Sequence, residues 1–330
     1  MKQVILREVG GPEVLEIVDA ECPAPGPGQV RIETRVIAVS KPDVLIRKGL
    51  YTWSPPLPAN PGNELAGVVA EVGEGVDGVQ VGDGVILSAR ELPVRGGCYT
   101  EEITVPAGSV HVVPAGVDLE AAVVLPTYLV AHGMLSVLAL TDRSRSIFVN
   151  GATGAIGSAL AELAKARGLT VIGSVGSDDK AEQARAAGVD LVLDYRTEPL
   201  LERVMEYTNG RGVDASFDHI IGPRFSDFIR MLADFGTAMA YNVFSPMPDE
   251  DAFGLLRQMS ARCLGLRVFN MHVYDHDQPA LRRLTRELID LLAAGSIQPR
   301  IGARMPMSDV ADAHRLLEAG SVVGKILLVP

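Results

Sequence analysis

Short apolar runs broken by glycine and proline fill the first third of the chain. Residues 14–18, 29–38, 67–72, 85–88 and 101–106 have the length and β-branched content of strands. The opening Met-Lys-Gln-Val-Ile-Leu-Arg-Glu has the same character. Turn-forming clusters at 23–28, 73–84 and Gly96-Gly97 separate the runs. This portion predicts a small, partly closed β-barrel. Near Leu119 the pattern changes to Ala-rich apolar stretches (120–140). From Arg145 strand and helix signals alternate: strand 147–150, a helix from Ala155, strand 171–175, helix 180–187, strand 191–194, strand 213–218, helix 224–235 and strand 237–242. That alternation predicts a doubly wound parallel sheet. Beyond Phe269 an amphipathic helix (279–294), a strand (301–306), a helix (307–320) and a last strand (324–329) return to a different character. The expected fold class is α/β, organised as one discontinuous, partly open β-barrel domain, 1–122 with 270–330, into which a doubly wound domain, 123–269, is inserted.

The first strand-to-helix junction of that alternation carries the most chemistry. It reads Ile147-Phe-Val-Asn-Gly151-Ala-Thr-Gly154-Ala155-Ile156-Gly157. Gly151 lets the chain turn off the strand, Gly154 lets backbone approach a phosphate, and Gly157 lets the helix pack closely. The N–H groups and dipole at that helix start favour an anion. The pattern is that of a dinucleotide pyrophosphate site. The next strand ends Gly173-Ser174-Val175-Gly176-Ser177, with no carboxylate before Asp178. A site selective for NAD places an acid there for the ribose 2′-hydroxyl, and that acid repels a 2′-phosphate. Val175 stands in its place, so NADPH is the expected cofactor. Lys180, Tyr195 and Arg196 are candidate donors to the phosphate. The alternative for Lys180 is a solvated helix opening.

Composition narrows the partners. With 330 residues, 47% of them hydrophobic, the chain can bury one large core or two ordinary ones. A net charge of -11 argues against nucleic acid as a partner. No apolar run approaches the roughly 20 residues that span a bilayer, and the N-terminus lacks a signal-peptide pattern, so a cytosolic protein is expected. Cys22, Cys98 and Cys263 are far apart, without the spacing of a zinc site, and are read as small thiols.

In order and spacing these motifs resemble the zinc-independent branch of the medium-chain dehydrogenase/reductase superfamily, in particular NADPH:quinone oxidoreductases and 2-enoyl thioester reductases. The likeness runs through Ser40-Lys-Pro-Asp43 to Gly49-Leu-Tyr51, Pro61-Gly-Asn-Glu64-Leu-Ala-Gly67, Val72-Gly-Glu-Gly75, Gly82-Asp83, Gly97-Cys-Tyr99-Thr-Glu101, Leu125-Pro126, Asp194-Tyr195-Arg196 and Gly324-Lys325. It covers essentially the whole chain.

The resemblance implies a discontinuous, partly open GroES-like β-barrel as catalytic domain, with a Rossmann domain for the dinucleotide. Zinc-dependent relatives carry Cys and His where this chain has Ser40 and Asn63, so no metal is expected. Hydride transfer to a quinone or activated C=C bond needs no Lewis acid. The resemblance assigns Tyr51 as hydrogen-bond or proton donor, with Ser40 and Asp43 flanking the same cleft. The alternative for Tyr51 is a wall residue, with water giving the proton. Cofactor contacts carry over to Gly151, Gly154, Ala155, Ile156, Gly157, Ser174, Lys180 and Tyr195. On the nicotinamide side they carry over to Asn242, Phe244, Phe269 and Asn270. Lys325 is expected near the nucleotide, or else solvated. Two positions depart from the family pattern: Ala131 stands for a cofactor-holding Thr, and His219 for a small Ser. The expected function is an NADPH-dependent reductase of a small quinone or enone, with acyl-CoA reduction as alternative. A sensor or structural protein with little turnover is the reading from another class. A homodimer is expected by resemblance.

Overall fold

The computed structural model, which describes residues 1–138, 140–241 and 248–330, opens with the antiparallel pair β1 (Lys2–Leu6) and β2 (Leu15–Asp19). Strand β3 (Gln29–Val39), helix α1 (Lys41–Arg47), β4 (Glu64–Val72), β5 (Gly84–Ser88), β6 (Glu102–Pro106) and β7 (Val110–Val112) follow. Then come helices α2 (Leu119–Ala122) and α3 (Leu125–Ser136). Along β3, Val30, Ile32 and Thr34 are buried alternately, and from Val36 to Val39 every side chain is buried. The strand thus passes from one covered face to two.

The alternating part runs β8 (Ser146–Val149), α4 (Ala155–Ala166), β9 (Thr170–Val175), α5 (Asp178–Ala186), β10 (Leu191–Asp194) and α6 (Leu200–Tyr207). It continues through β11 (Val213–Asp218), α7 (Phe225–Arg230), β12 (Leu232–Tyr241), α8 (Ala252–Gln258) and β13 (Gly265–Phe269). Helix α9 (Gln278–Ala293), β14 (Ile301–Pro306), α10 (Val310–Ala319) and β15 (Lys325–Val329) complete the chain.

Two compact units result, Met1–Pro126 with Gln278–Pro330, and Thr127–Asp277. In the first, the sheet order is β14-β15-β3-β4-β5-β7, with β6 also paired to β3. It is mixed, because β14 and β15 are parallel and the rest antiparallel, and it does not close into a barrel. Its core gathers Val30, Ile32, Leu65, Val85, Leu87, Val105, Ile326 and Leu328.

In the second unit the sheet is parallel throughout, in the order β10-β9-β8-β11-β12-β13. Strand β8 is buried along its whole length, as the central strand of a doubly covered sheet must be. The order reverses direction between β8 and β11. At such a switch point the loops leaving the strand ends diverge and leave a crevice for a ligand.

Helices α1, α6 and α8 and strand β13 were not anticipated, and two further elements differ from expectation. The helix expected over 224–235 ends at Arg230, because Val213 captures the following segment into the sheet: Val213 N–H donates to Met231 O at 2.9 Å and Val213 pairs with Leu232. Sheet pairing there overrides a helical pattern. Strand β7, three residues long, had too short a signal to be read.

Candidate functional site

The glycine turn is built from below by a buried polar network. Asn150 Nδ2 donates to Asp218 Oδ1 at 2.6 Å, which ties the end of β8 to the end of β11. The Ser174 hydroxyl, at the end of β9, donates to Asn150 Oδ1 (2.6 Å) and accepts from Gly151 N–H (3.2 Å). Asp218 also receives the N–H groups of Ile220 (3.1 Å) and Ile221 (2.8 Å). Three adjacent strands are therefore fastened at the edge where the turn begins.

Above this network, Gly151 holds φ at 72°, a conformation that a side chain resists. A Cβ on Gly157 would lie 2.2 Å from the Gly151 carbonyl, so helix and turn approach at a distance only glycine allows. Gly154 is the N-cap of α4 and brings no side-chain oxygen to the helix start. The first N–H groups of this 12-residue helix, from exposed Ala155 and half-buried Ile156, have no intrahelical partners and face outward for an anion.

The 2′-phosphate candidates gather at the next strand end. Ser177 caps α5 by accepting the Lys180 N–H at 3.3 Å, which sets Lys180 in the first turn, partly exposed. The Tyr195 phenol lies over Gly176: a Cβ there would be 2.2 Å from its hydroxyl oxygen. Val175 is buried at the strand end and carries no charge. Arg196 is bound instead to Asp194, through Nη2 at 2.6 Å and Nε at 3.0 Å. That pair holds the Asp194 carboxyl below its usual range. Arg224 reaches the same corner, donating to the Tyr195 carbonyl at 3.0 Å.

One expected contact is corrected. Ser174 is fully buried, and its hydroxyl is engaged on both sides, so it shapes the turn and presents nothing to a ligand. Phe269 is buried at the end of β13, and Asn270 uses its Oδ1 to accept the His272 N–H at 3.0 Å. Asn242 and Phe244 lie outside the described residues. Ala131 is fully buried in α3.

The first unit holds a second cluster, centred on Asp43. This carboxylate is fully buried on α1 and accepts the Ser40 N–H (2.7 Å), the Ser40 hydroxyl (2.9 Å), Asn63 Nδ2 (2.5 Å) and the Tyr99 hydroxyl (3.1 Å). Burial raises Asp43 to about 6, against the opposing pull of the Asn63 hydrogen bond. Tyr99 also meets His314 Nε2 at 3.0 Å. The phenol has one proton, directed at Asp43, so it accepts from the Nε2–H of a neutral imidazole. Burial, and then the neighbouring Arg47 charge, lower His314 to about 3. Arg47 is itself fully buried and donates to Glu318 at 2.7 Å.

Ser40 and Asn63, the positions that bear zinc ligands in metal-dependent relatives, are thus both tied to Asp43. A hydroxyl and an amide supply neither thiolate nor imidazole. Among the described residues no three His, Cys, Asp or Glu gather as a metal cluster. Tyr51 is half-buried against the core, its ring 5.5 Å from that of Trp53. Lys325 is not solvated: it pairs with Glu64 at 2.7 Å, both side chains nearly buried. Asp43, Tyr99 and His314 lie too far apart in the chain for any motif to join them. The Asn150–Asp218 tie had a faint signal in the two polar residues that end apolar strands.

Residues 26–115 match the family model described as the alcohol dehydrogenase GroES-like domain, and residues 187–328 that of a zinc-binding dehydrogenase. The synaptic vesicle membrane protein VAT-1 homolog of Rattus norvegicus is 30% identical over 347 residues, taking in 100% of this chain and 84% of its own. Quinone oxidoreductase 1 of Escherichia coli is 30% identical over 325 residues, 97% of each chain. The crystal structure of an Escherichia coli quinone oxidoreductase complexed with NADPH superimposes with a TM-score of 0.82 at 27% identity, covering 100% of both chains.

Proposed function

Since the chain belongs to the medium-chain dehydrogenase/reductase family, with quinone oxidoreductases among its relatives, we propose that it is an NADPH-dependent reductase of a small quinone or α,β-unsaturated carbonyl. The observation that carries this reading is the end of β9. An intact glycine turn lies beside a strand end with a buried valine in place of an acid, and Lys180 and Tyr195 stand at the same corner. Lys180 and Tyr195 would hold the 2′-phosphate, and the N–H groups of Ala155 and Ile156 the pyrophosphate. Bound there, the cofactor supplies the hydride, and an electron-poor acceptor needs no metal to receive it.

The protein's share is then orientation, exclusion of water and a donor for the developing oxyanion. Tyr51 is the residue proposed for that last role. Ser40 is less suited, because its proton is directed into Asp43. An acyl-CoA thioester is the alternative acceptor within the same chemistry.

Oxidation of NADPH and NADH at 340 nm, against quinones, short enones and crotonyl-CoA, tests the proposal. Turnover with one acceptor class, and at least tenfold preference for NADPH, is the expected result. Lys180→Ala should weaken NADPH by roughly tenfold and NADH little, as one charged hydrogen bond implies. Tyr51→Phe should slow an enone, which needs a proton on carbon, more than a quinone. Equal losses for both cofactors would remove the 2′-phosphate assignment.

A second reading, from another class, is a nucleotide-binding protein with little turnover; one of the relatives is named a synaptic vesicle membrane protein rather than an enzyme. Tight NADPH binding without turnover on any acceptor would select it. We further propose a cytosolic homodimer. The three cysteines are free, which suits a reducing compartment. Strand β13 is the sheet edge, with Val268 69% exposed and Leu266 39%, and an open apolar edge invites pairing with a second copy.

A further inference from the structure

His219 follows the last residue of β11, on the far side of the switch point from β9 and β10. Its ring lies against the glycine turn. A Cβ placed on Gly151 would meet His219 Cε1 at 2.9 Å, with Nδ1 at 3.7 Å and Nε2 at 3.8 Å. The ring also lies near that of Tyr241 at the end of β12, 5.9 Å between centroids and tilted by 39°. Nδ1 is buried with no hydrogen-bond partner among the described residues. Its neighbour Asp218, which could have oriented the ring, is engaged with Asn150, Ile220 and Ile221. A polar ring is thus held at the mouth of the turn, and no group among the described residues pairs with its Nδ1.

Nδ1 is closed in against the turn, which leaves Nε2 as the ring nitrogen that can donate a hydrogen bond to a ligand. Doubly wound sheets of this kind bind one mononucleotide half on each side of the switch point. The strands β8, β9 and β10 belong to the adenosine side, where Lys180 and Tyr195 stand. His219 belongs to the other side.

Resting on the NADPH reading above, we propose that His219 is a binding residue for the nicotinamide mononucleotide half of the dinucleotide, donating from Nε2. It adds affinity common to NADPH and NADH and none for the adenosine 2′-phosphate half.

The test is a set of dissociation constants, by titration calorimetry, for NADPH, NADH and 2′,5′-ADP with wild type, His219→Ala and His219→Gln. His219→Ala is expected to weaken NADPH and NADH alike, by about tenfold for one lost hydrogen bond, and to leave 2′,5′-ADP within twofold. His219→Gln, which keeps a donor near the Nε2 position, is expected to recover most of the loss. Unchanged NADPH affinity in His219→Ala would overturn the proposal. So would an equal loss for 2′,5′-ADP, because His219 would then only shape the turn. Wild-type protein that binds 2′,5′-ADP but neither dinucleotide would also overturn it. Wild-type protein that binds none of the three ligands would overturn the cofactor reading itself along with the proposal.

Discussion

At the scale of single residues, two buried titratable groups of the first unit, His314 and Asp43, pull stability in opposite directions with pH. His314 has an ordinary value of 6.5 and about 3 in the fold. Below pH 6.5 the unfolded chain takes a proton that the native imidazole refuses, so stability falls as the solution is acidified, down to about pH 3. Asp43 goes from 3.8 to about 6. Between those values the native carboxyl takes the proton that the unfolded one releases, so its contribution rises on acidification. Between pH 7.5 and 5, His314 should therefore cost wild type about 2 kcal/mol that His314→Gln does not lose. Urea unfolding of both proteins at the two pH values measures this directly. An identical pH dependence in the two would mean that His314 is not held neutral. The cluster was only partly legible beforehand. Asp43 and Tyr99 each stood in a matching motif, but nothing in local spacing joined them to one another or to His314, which they meet through folding. The position of Lys325 was equally hidden, because a lysine beside a final glycine looks solvated until Glu64 is seen opposite it.

At the scale of elements, the strand–turn–helix junction was the most readable part, because its chemistry is local. Three glycines within seven residues dictate a shape whatever surrounds them. The three do different work in the structure, and that difference is testable. Gly154 is exposed, at φ -67°, and a Cβ there would lie 3.3 Å from the Gly151 carbonyl, a tight but adjustable contact. Gly157 is buried with a backbone oxygen at 2.2 Å. Gly154→Val should leave the urea midpoint close to wild type while weakening NADPH at least tenfold, by blocking the approach of phosphate to backbone. Gly157→Val should cost about 1–3 kcal/mol of stability, because helix and turn must separate. A Gly154 variant that binds NADPH normally would remove the turn from the site. The misread helix after residue 224 shows the limit of local reading. Its apolar spacing suits a helix, but Val213 offers a sheet partner that periodicity does not reveal.

At the scale of the whole molecule, the alternation of strands and helices was enough to class the second unit as a doubly wound parallel sheet, although its strand order and its edge strand β13 were not read. The mixed sheet of the first unit was less legible, because its strands come from both ends of the chain and pair by no local rule. The edge strand β13 bears on assembly. Val268→Lys, placing a charge on that edge, should convert a dimer into a monomer in light scattering at micromolar concentration, with NADPH affinity retained. A wild-type monomer under those conditions would end the homodimer reading.

Strand β15 lies between β14 and β3, with Ile326 opposite Val39 and Leu328 opposite Ile37. The sheet of the first unit therefore stays open along this part of β3 until β14 and β15, which follow the inserted unit, have left the ribosome. The inserted unit is continuous in sequence and can fold as soon as it emerges, as domains made in succession generally do. During synthesis residues Ile37 to Val39 of β3 must wait through that event for their partner on this side, although Gln29 to Glu33 already pair there with β6. Its completion is a closure over almost the full contour length, the kind of long-range step that sets a slow pace. Chaperone dependence should accordingly reside in the GroES-like unit.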